Sequence, residues 1–265
     1  MHILHDFHLH TNLSVCAKRE VTAADYVANA RRLGLQKLGF SDHFWDAAIE
    51  GANSFYQPQN YEHIIQLKPE LDKLRCEDIQ FFFGCETEYD PFHRGVAITE
   101  ETAEKLDFLL VPNSHTHMMM PKDCYEPYQK HADFMLQATY EILSSPVSRY
   151  ITAIAHPFEA VACPYPNGLL IDLITDDQFK RVLDVMAQKG IAFEINVSSM
   201  MRKTAPEEIE QMSQIRLFRL AKQQGCKFLF GSDAHSALAH DRYENATFVA
   251  NLLNLTPDDL APIAR

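Results

Sequence analysis

Ile3-Leu4-His5-Asp6-Phe7-His8-Leu9-His10 carries an apolar run that ends in two histidines two places apart. A short run rich in branched and aromatic side chains reads as a strand buried in a parallel sheet. On a strand, residues two apart share a face, so His8 and His10 can aim at one point. Six further runs repeat the pattern, at residues 37–40, 79–83, 108–111, 150–155, 191–195 and 227–230. Together with residues 3–7 they make seven strands.

Amphipathic stretches with readable ends lie between them. Thr22 can cap a helix carrying Tyr26, Val27, Ala30 and Leu33, and Gly34 can close it. Thr175 and Gln178 have capping-box spacing, with Gly190 at the far end. Pro206 opens an expected helix through Ile209, Met212 and Leu220, ended by Gly225. Thr256 and Pro257 repeat the cap-then-proline arrangement, and residues 60–75 read as a helix that Pro69 must kink or split. Seven βα units in series predict an α/β fold, a closed or nearly closed (β/α)7 TIM-like barrel. One domain spanning residues 1–265 is expected.

The bulk numbers narrow the function classes. Acids outnumber Lys and Arg by 36 to 24, giving a formal charge of −12. That balance argues against a nucleic-acid surface or an anionic membrane as partner, while leaving room for a small cationic pocket. No apolar run approaches the length of a membrane helix. The six cysteines form no CxxC pair and the start has no signal-peptide character, so reduced thiols in a cytoplasmic protein are expected. Neither GxGxxG nor the phosphate loop GxxxxGK[ST] is present.

Nearly every expected strand ends in a potential metal ligand. The first gives His8 and His10, the second Asp42 and His43, and the third Glu86. The fourth leads to His115, the fifth to His156, and the seventh to Asp233 and His235. In a barrel these ends open on one rim, where such folds place their active sites. One histidine at a strand end is more often structural than a ligand. Six of them with two carboxylates at corresponding points predict a metal centre, from donors that Zn, Mn and Fe accept.

The stretches Asp6-Phe7-His8-Leu9-His10-Thr11, Leu38-Gly39-Phe40-Ser41-Asp42-His43 and Gly84-Cys85-Glu86 resemble the polymerase and histidinol phosphatase (PHP) family of phosphoesterases. Val111-Pro112-Asn113-Ser114-His115, Ile154-Ala155-His156-Pro157 and Gly231-Ser232-Asp233-Ala234-His235 complete the likeness, which runs nearly the whole chain. It implies a distorted barrel of seven βα units and two or three divalent metal ions. By position, His8, His10, Glu86 and Asp233 would hold the first ion. Glu86 would bridge to a second, completed by His115 and His156. A third would take His43, His235 and a residue after HxH. Where many members carry a histidine there, this chain has Cys16, whose thiolate can bind Zn or Fe.

Other candidates compete with these. Glu88 and His117 share strand faces with Glu86 and His115, and they are expected behind the ligands or against substrate. Asp42, His117 and His235 are candidate proton donors, with Asp42 alternatively a cap or a group that orients a ligand. For substrate phosphate the candidates are Arg202, Lys203 and Arg94, with Lys18 and Arg19 weaker. Glu194 and Asn196 are polar residues on the sixth strand that could assist binding. His2, His5, His63, His131 and His240 read as surface or loop histidines.

The resemblance implies hydrolysis of a small-molecule phosphomonoester, with L-histidinol phosphate the leading named substrate. Another organic phosphate or a nucleotide is the alternative, and a non-catalytic metal-binding module is a third reading. An amidohydrolase is disfavoured because its bridging lysine has no counterpart. Residues 44–61 and 118–131, the longest irregular segments, are expected to act as lids or substrate contacts.

Overall fold

The computed structural model describes residues 1–166, 168–200, 206–240, 243 and 245–265. Its strands are β1 (His5–Leu9), β2 (Lys37–Phe40), β3 (His43–Phe44), β4 (Gln80–Thr87), β5 (Tyr89–Asp90) and β6 (Gly95–Val96). They continue with β7 (Phe108–Pro112), β8 (Ala153–Ala155), β9 (Ala192–Asn196) and β10 (Phe228–Gly231). The main sheet runs β1-β2-β4-β7-β8-β9-β10, with β3 also paired to β4, and all neighbours are parallel. The pair β5-β6 forms a separate antiparallel ribbon.

A few bonds draw β1 and β10 together and nearly close the barrel. His10 N donates to Ala234 O at 3.0 Å, and Leu9 forms a parallel bridge with Ala234. Below this, Asp6 Oδ1 accepts from His8 N at 3.0 Å and from Ser232 N at 3.1 Å. A side-chain carboxylate thus replaces missing ladder bonds at the seam. The expected seven-strand barrel is present, with strand ends displaced by a few residues.

The helices follow their caps. Ala23–Leu33 starts at Thr22 with a capping box to Asp25 and stops at Gly34. Asp176–Lys189 runs from Thr175 to Gly190 as the spacing predicts. Two stretches differ, and a third splits as expected. The helix expected from Pro206 is two, Pro206–Glu210 and Ser213–Gln223, because Met212 is extended and caps the second. Thr256 and Pro257 open only a 3-10 turn, Pro257–Asp259. Residues 60–75 break into Tyr61–Ile64, a 3-10 turn at Ile65–Leu67, and Lys68–Leu74 with Pro69 in its first turn, where a missing N–H costs nothing.

Three histidines expected at the surface are fully buried instead: His5, His131 and His240. Each has polar neighbours that make burial tolerable. His5 Nε2 accepts from Phe230 N, His131 lies between the Tyr165 hydroxyl and Thr116 Oγ1, and His240 Nε2 is 3.3 Å from Asp6 Oδ2. His2 is exposed, and His63 is half-buried.

Small and large side chains fill the barrel interior by turns. Phe7 packs edge-on to Phe108 with ring centroids 5.2 Å apart. Glycines make the room: a Cβ on Gly39 would lie 2.5 Å from Phe7 Cδ1 and 2.8 Å from Phe108 Cζ. Two core rings would therefore have to move. Gly39→Ala is expected to destabilise the protein by about 1–3 kcal/mol, the usual cost of overpacking. Urea unfolding measures this, and an unchanged midpoint would mean that the rings are not held against Gly39.

Candidate metal centre

The sequence places ligands at strand ends, and the parallel sheet brings those ends to one rim. His8 lies within β1, His43 opens β3, and Glu86 lies near the end of β4. His10, His115, His156, Asp233 and His235 follow their strands by one to four residues. The side chains gather into four overlapping groups: His8-His10-Asp233, His8-Glu86-His156, His43-Glu86-His115 and His10-His43-His235. In each group the potential ligand atoms lie within 4.8 Å of one another.

The spacing suits a metal ion better than direct contacts. A tetrahedral ion with bonds of about 2.0–2.1 Å holds its donors about 3.3–3.4 Å apart. His8 Nε2 and His10 Nε2 lie 3.4 and 3.5 Å from Glu86 Oε2, and 3.6 and 3.2 Å from Asp233 Oδ1. The other oxygen, Glu86 Oε1, lies 2.9 Å from His156 Nε2 and 3.7 Å from His115 Nε2. Four of these atoms, His8 Nε2, His10 Nε2, His43 Nδ1 and Glu86 Oε2, are buried with no hydrogen-bond partner. Orphaned polar atoms facing one another are costly unless something joins them. Divalent cations fit this donor set.

Each ring is oriented from behind. His8 Nδ1 meets Glu194 Oε1 at 2.7 Å, His10 Nδ1 meets Ser14 Oγ at 3.1 Å, and His115 Nδ1 meets Glu88 Oε2 at 2.9 Å. His156 Nδ1 meets Ser114 Oγ at 2.5 Å, and His235 Nδ1 meets its neighbour's carbonyl, Asp233 O, at 2.9 Å. Such partners turn the Nε2 atoms of these rings toward the shared centre, whereas His43 presents Nδ1. Two candidate ligands also sit in left-handed backbone, His156 at φ 27° and Asp233 at φ 50°. Strain of this kind persists only where surroundings enforce it, commonly at functional sites.

The charges support ligation. Burial alone would raise the Glu86 carboxyl, yet His115, His8, His156 and His43 hold it well below the usual carboxylate range. Asp233 is likewise pulled down against burial by His8, His10 and His235. Both stay anionic, as metal ligands must.

The other predicted residues divide clearly. Asp42 is not free to donate a proton: Oδ1 accepts from Thr11 N at 2.7 Å and Ser14 Oγ at 2.6 Å, and Oδ2 from Thr11 Oγ1 at 2.7 Å. Through Ser14 it braces His10 instead. Cys16 lies at the cavity mouth, but its sulfur joins none of the ligand groups, and His10 is the third member beside His43 and His235. The turn after Ser14 leaves Cys16 exposed at the rim. His117 is exposed at the same mouth, and loss of solvation followed by His115 and His156 pushes it down to about 4. Arg94 is not brought to the centre; its side chain is 78% exposed with Nε 3.9 Å from Glu141. Lys18 and Arg19 are exposed as well. Arg202 and Lys203 lie outside the described residues.

Glu194 has a larger part than the sequence suggested. Its second oxygen accepts from His156 N at 2.6 Å, so one buried carboxylate braces two candidate ligands. Gly231 makes this possible, since a Cβ there would lie 2.1 Å from Glu194 Oε1 and 2.4 Å from His8 Cβ. The sequence offers Glu194 only as a polar residue on the sixth strand, and nothing in it pairs Glu194 with His8.

The family model described as PHP domain matches residues 6–198. The chain belongs to the PHP domain family. Among PHP relatives, a probable phosphatase of Thermoanaerobacter sp. (strain X514) is 25% identical over 97% of this chain and 89% of its own. One from Caldanaerobacter subterraneus subsp. tengcongensis is 25% identical over 96% and 85%. The solved histidinol phosphate phosphatase of Lactococcus lactis, complexed with zinc, L-histidinol and phosphate, shares the fold. It superposes with a TM-score of 0.70 at 17% identity, covering 96% of this chain and 95% of that one.

Glu194→Gln keeps the side chain's size and removes its charge behind His8. Metal affinity is expected to fall about 10–100-fold, the usual loss when a ligand's supporting partner is changed. Competition against a chelator of known affinity measures it, and an unchanged constant would separate Glu194 from the centre.

Proposed function

We propose that this PHP protein is a metal-dependent phosphomonoesterase acting on a small phosphate ester. The observation that carries the reading is the shared carboxylate of Glu86, one oxygen facing His8, His10 and His43 and the other His115 and His156. His8, His10, Glu86 and Asp233 would hold one ion, and Glu86, His115 and His156 a second. His43 and His235 offer donors for a third. Bound ions would supply Lewis-acid charge beside the substrate phosphate and an activated water.

The protein's own groups would set the geometry for this chemistry. Glu194, Ser14, Ser114 and Glu88 fix the imidazoles so that the site is organised before substrate arrives. Asp233 and His235, at the mouth, would meet the phosphate side of the ester. His117 borders the cavity where the leaving oxygen must depart, placed to hydrogen-bond it as the alcohol leaves. L-histidinol phosphate is the named substrate to assay first, in keeping with the ligands of the Lactococcus protein of like fold. The two relatives, each named as a probable phosphatase, support the broader class.

Metal-loaded protein is expected to release phosphate from at least one member of a panel of histidinol phosphate, sugar phosphates, nucleotides and aryl phosphates. Chelation should abolish release and added Zn or Mn restore it, and His8→Ala with His10→Ala should lower kcat/KM by at least about a thousandfold. Full metal occupancy with no phosphate from any substrate would overturn the reading.

A further inference from the structure

Above the metal centre lies a cavity of about 190 Å3. Its floor is His43, His115, Asp233 and His235, and its walls are Phe55, Tyr56, Met118 and Val161. The walls are apolar where a substrate's leaving group must sit. Phe55, Tyr56 and Met118 also belong to a small hydrophobic cluster separate from the main core, in which Trp45, Tyr56 and Ala97 are buried and Phe55, Met118 and Met119 pack against them.

That cluster is built and anchored. Tyr56 donates its hydroxyl to Glu88, which turns the phenol tip away and leaves ring surface for the cavity. Phe55 and Tyr56 pack edge-on at 4.9 Å, and both stand edge-on to His43 at 5.5 and 6.3 Å. The loop carrying them is tied to its surroundings by Trp45 N to Gln59 O at 2.8 Å and by Val15 N to Gln59 Oε1 at 2.9 Å. Two segments expected to be irregular therefore meet over the centre: the loop that brings Phe55 and Tyr56, and residues 118–131, which prove partly helical and bring Met118 on the short helix Thr116–Met119.

We propose that the substrate is the phosphomonoester of a small alcohol with an apolar, ring-sized body, received by Phe55, Tyr56, Met118 and Val161. This rests on the phosphomonoesterase reading and narrows its substrate. Small-molecule sites are lined chiefly by apolar and aromatic groups and span roughly 300–1,000 Å3 for drug-sized ligands. A cavity of about 190 Å3 is too small to enclose a nucleotide. Sugar phosphates fit poorly for a different reason: buried hydroxyls need hydrogen-bond partners, and away from Cys16 and His117 at the mouth these walls offer chiefly carbon and sulfur, the Tyr56 hydroxyl being taken by Glu88. Methionine beside aromatic rings instead suits an apolar or aromatic guest.

Benzyl phosphate and glycerol 3-phosphate test this, because both release a primary alkoxide and differ mainly in the body of the alcohol. The metal-loaded protein is expected to favour benzyl phosphate in kcat/KM by at least about tenfold, mostly through KM. Calorimetry should show benzylphosphonate binding more tightly than a glycerol-like phosphonate, a readout independent of turnover. Val161→Asn and Phe55→Ser should each erase most of the preference, lowering kcat/KM for benzyl phosphate far more than for glycerol 3-phosphate. Equal or better turnover and binding of the polyol compounds would overturn the apolar assignment and leave the phosphatase reading intact. Phosphate release from neither compound nor any of the wider panel would overturn both.

Discussion

Glu86 is a carboxylate with almost no access to water, placed where five imidazoles converge. Burying one unpaired carboxylate is strongly unfavourable, and burying it among imidazoles with orphaned nitrogens does not by itself satisfy them. The rest of the molecule is arranged around this constraint. Parallel strands deliver the ligands to one rim, Asp6 draws the seam between β1 and β10 together, and glycines at 39, 84 and 231 make room. Removing the Cβ at residue 231 lets Glu194 reach His8; removing it at residues 39 and 84 lets Phe7 and Phe108 fill the barrel.

The polar groups form two layers with different tasks. Facing the centre are the imidazole nitrogens and carboxylates that suit cations. Behind them, Glu194, Glu88, Ser14, Ser114 and Asp42 take up the remaining hydrogen bonds and hold the rings in place. Above them is an apolar lip made by the small Trp45 and Tyr56 cluster. On the proposed reading, a charged floor beneath an apolar wall would divide a phosphomonoester, with the phosphate toward the metal ligands and the alcohol against carbon.

Much of this was legible in the sequence because strand ends are local. His8 and His10 advertise themselves by spacing, and Glu86, His115, His156 and Asp233 stand after apolar runs. The parallel sheet then brings them together without further information. What the sequence concealed depends on contacts between distant segments. Glu194 bracing His8, Ser114 bracing His156, and His240 beside Asp6 each join residues far apart in the chain. The buried His5, His131 and His240 looked like surface residues because their partners lie on other elements. Position after HxH leaves Cys16 open as a ligand or an inert thiol, and the turn after Ser14 sets it at the rim, outside the ligand groups. The helix break at Met212 follows from backbone conformation that periodicity does not register, whereas Pro69 announces its own break.

The central claim is that Glu86 joins two metal sites. Diffraction from crystals of zinc-loaded protein, measured on both sides of the zinc absorption edge, tests it most directly. The account predicts at least two anomalous peaks about 3.5–4 Å apart, one beside His8, His10 and Asp233, the other beside His115 and His156, with a Glu86 oxygen bound to each. A single peak away from Glu86, or none at all in zinc-loaded protein, would contradict it.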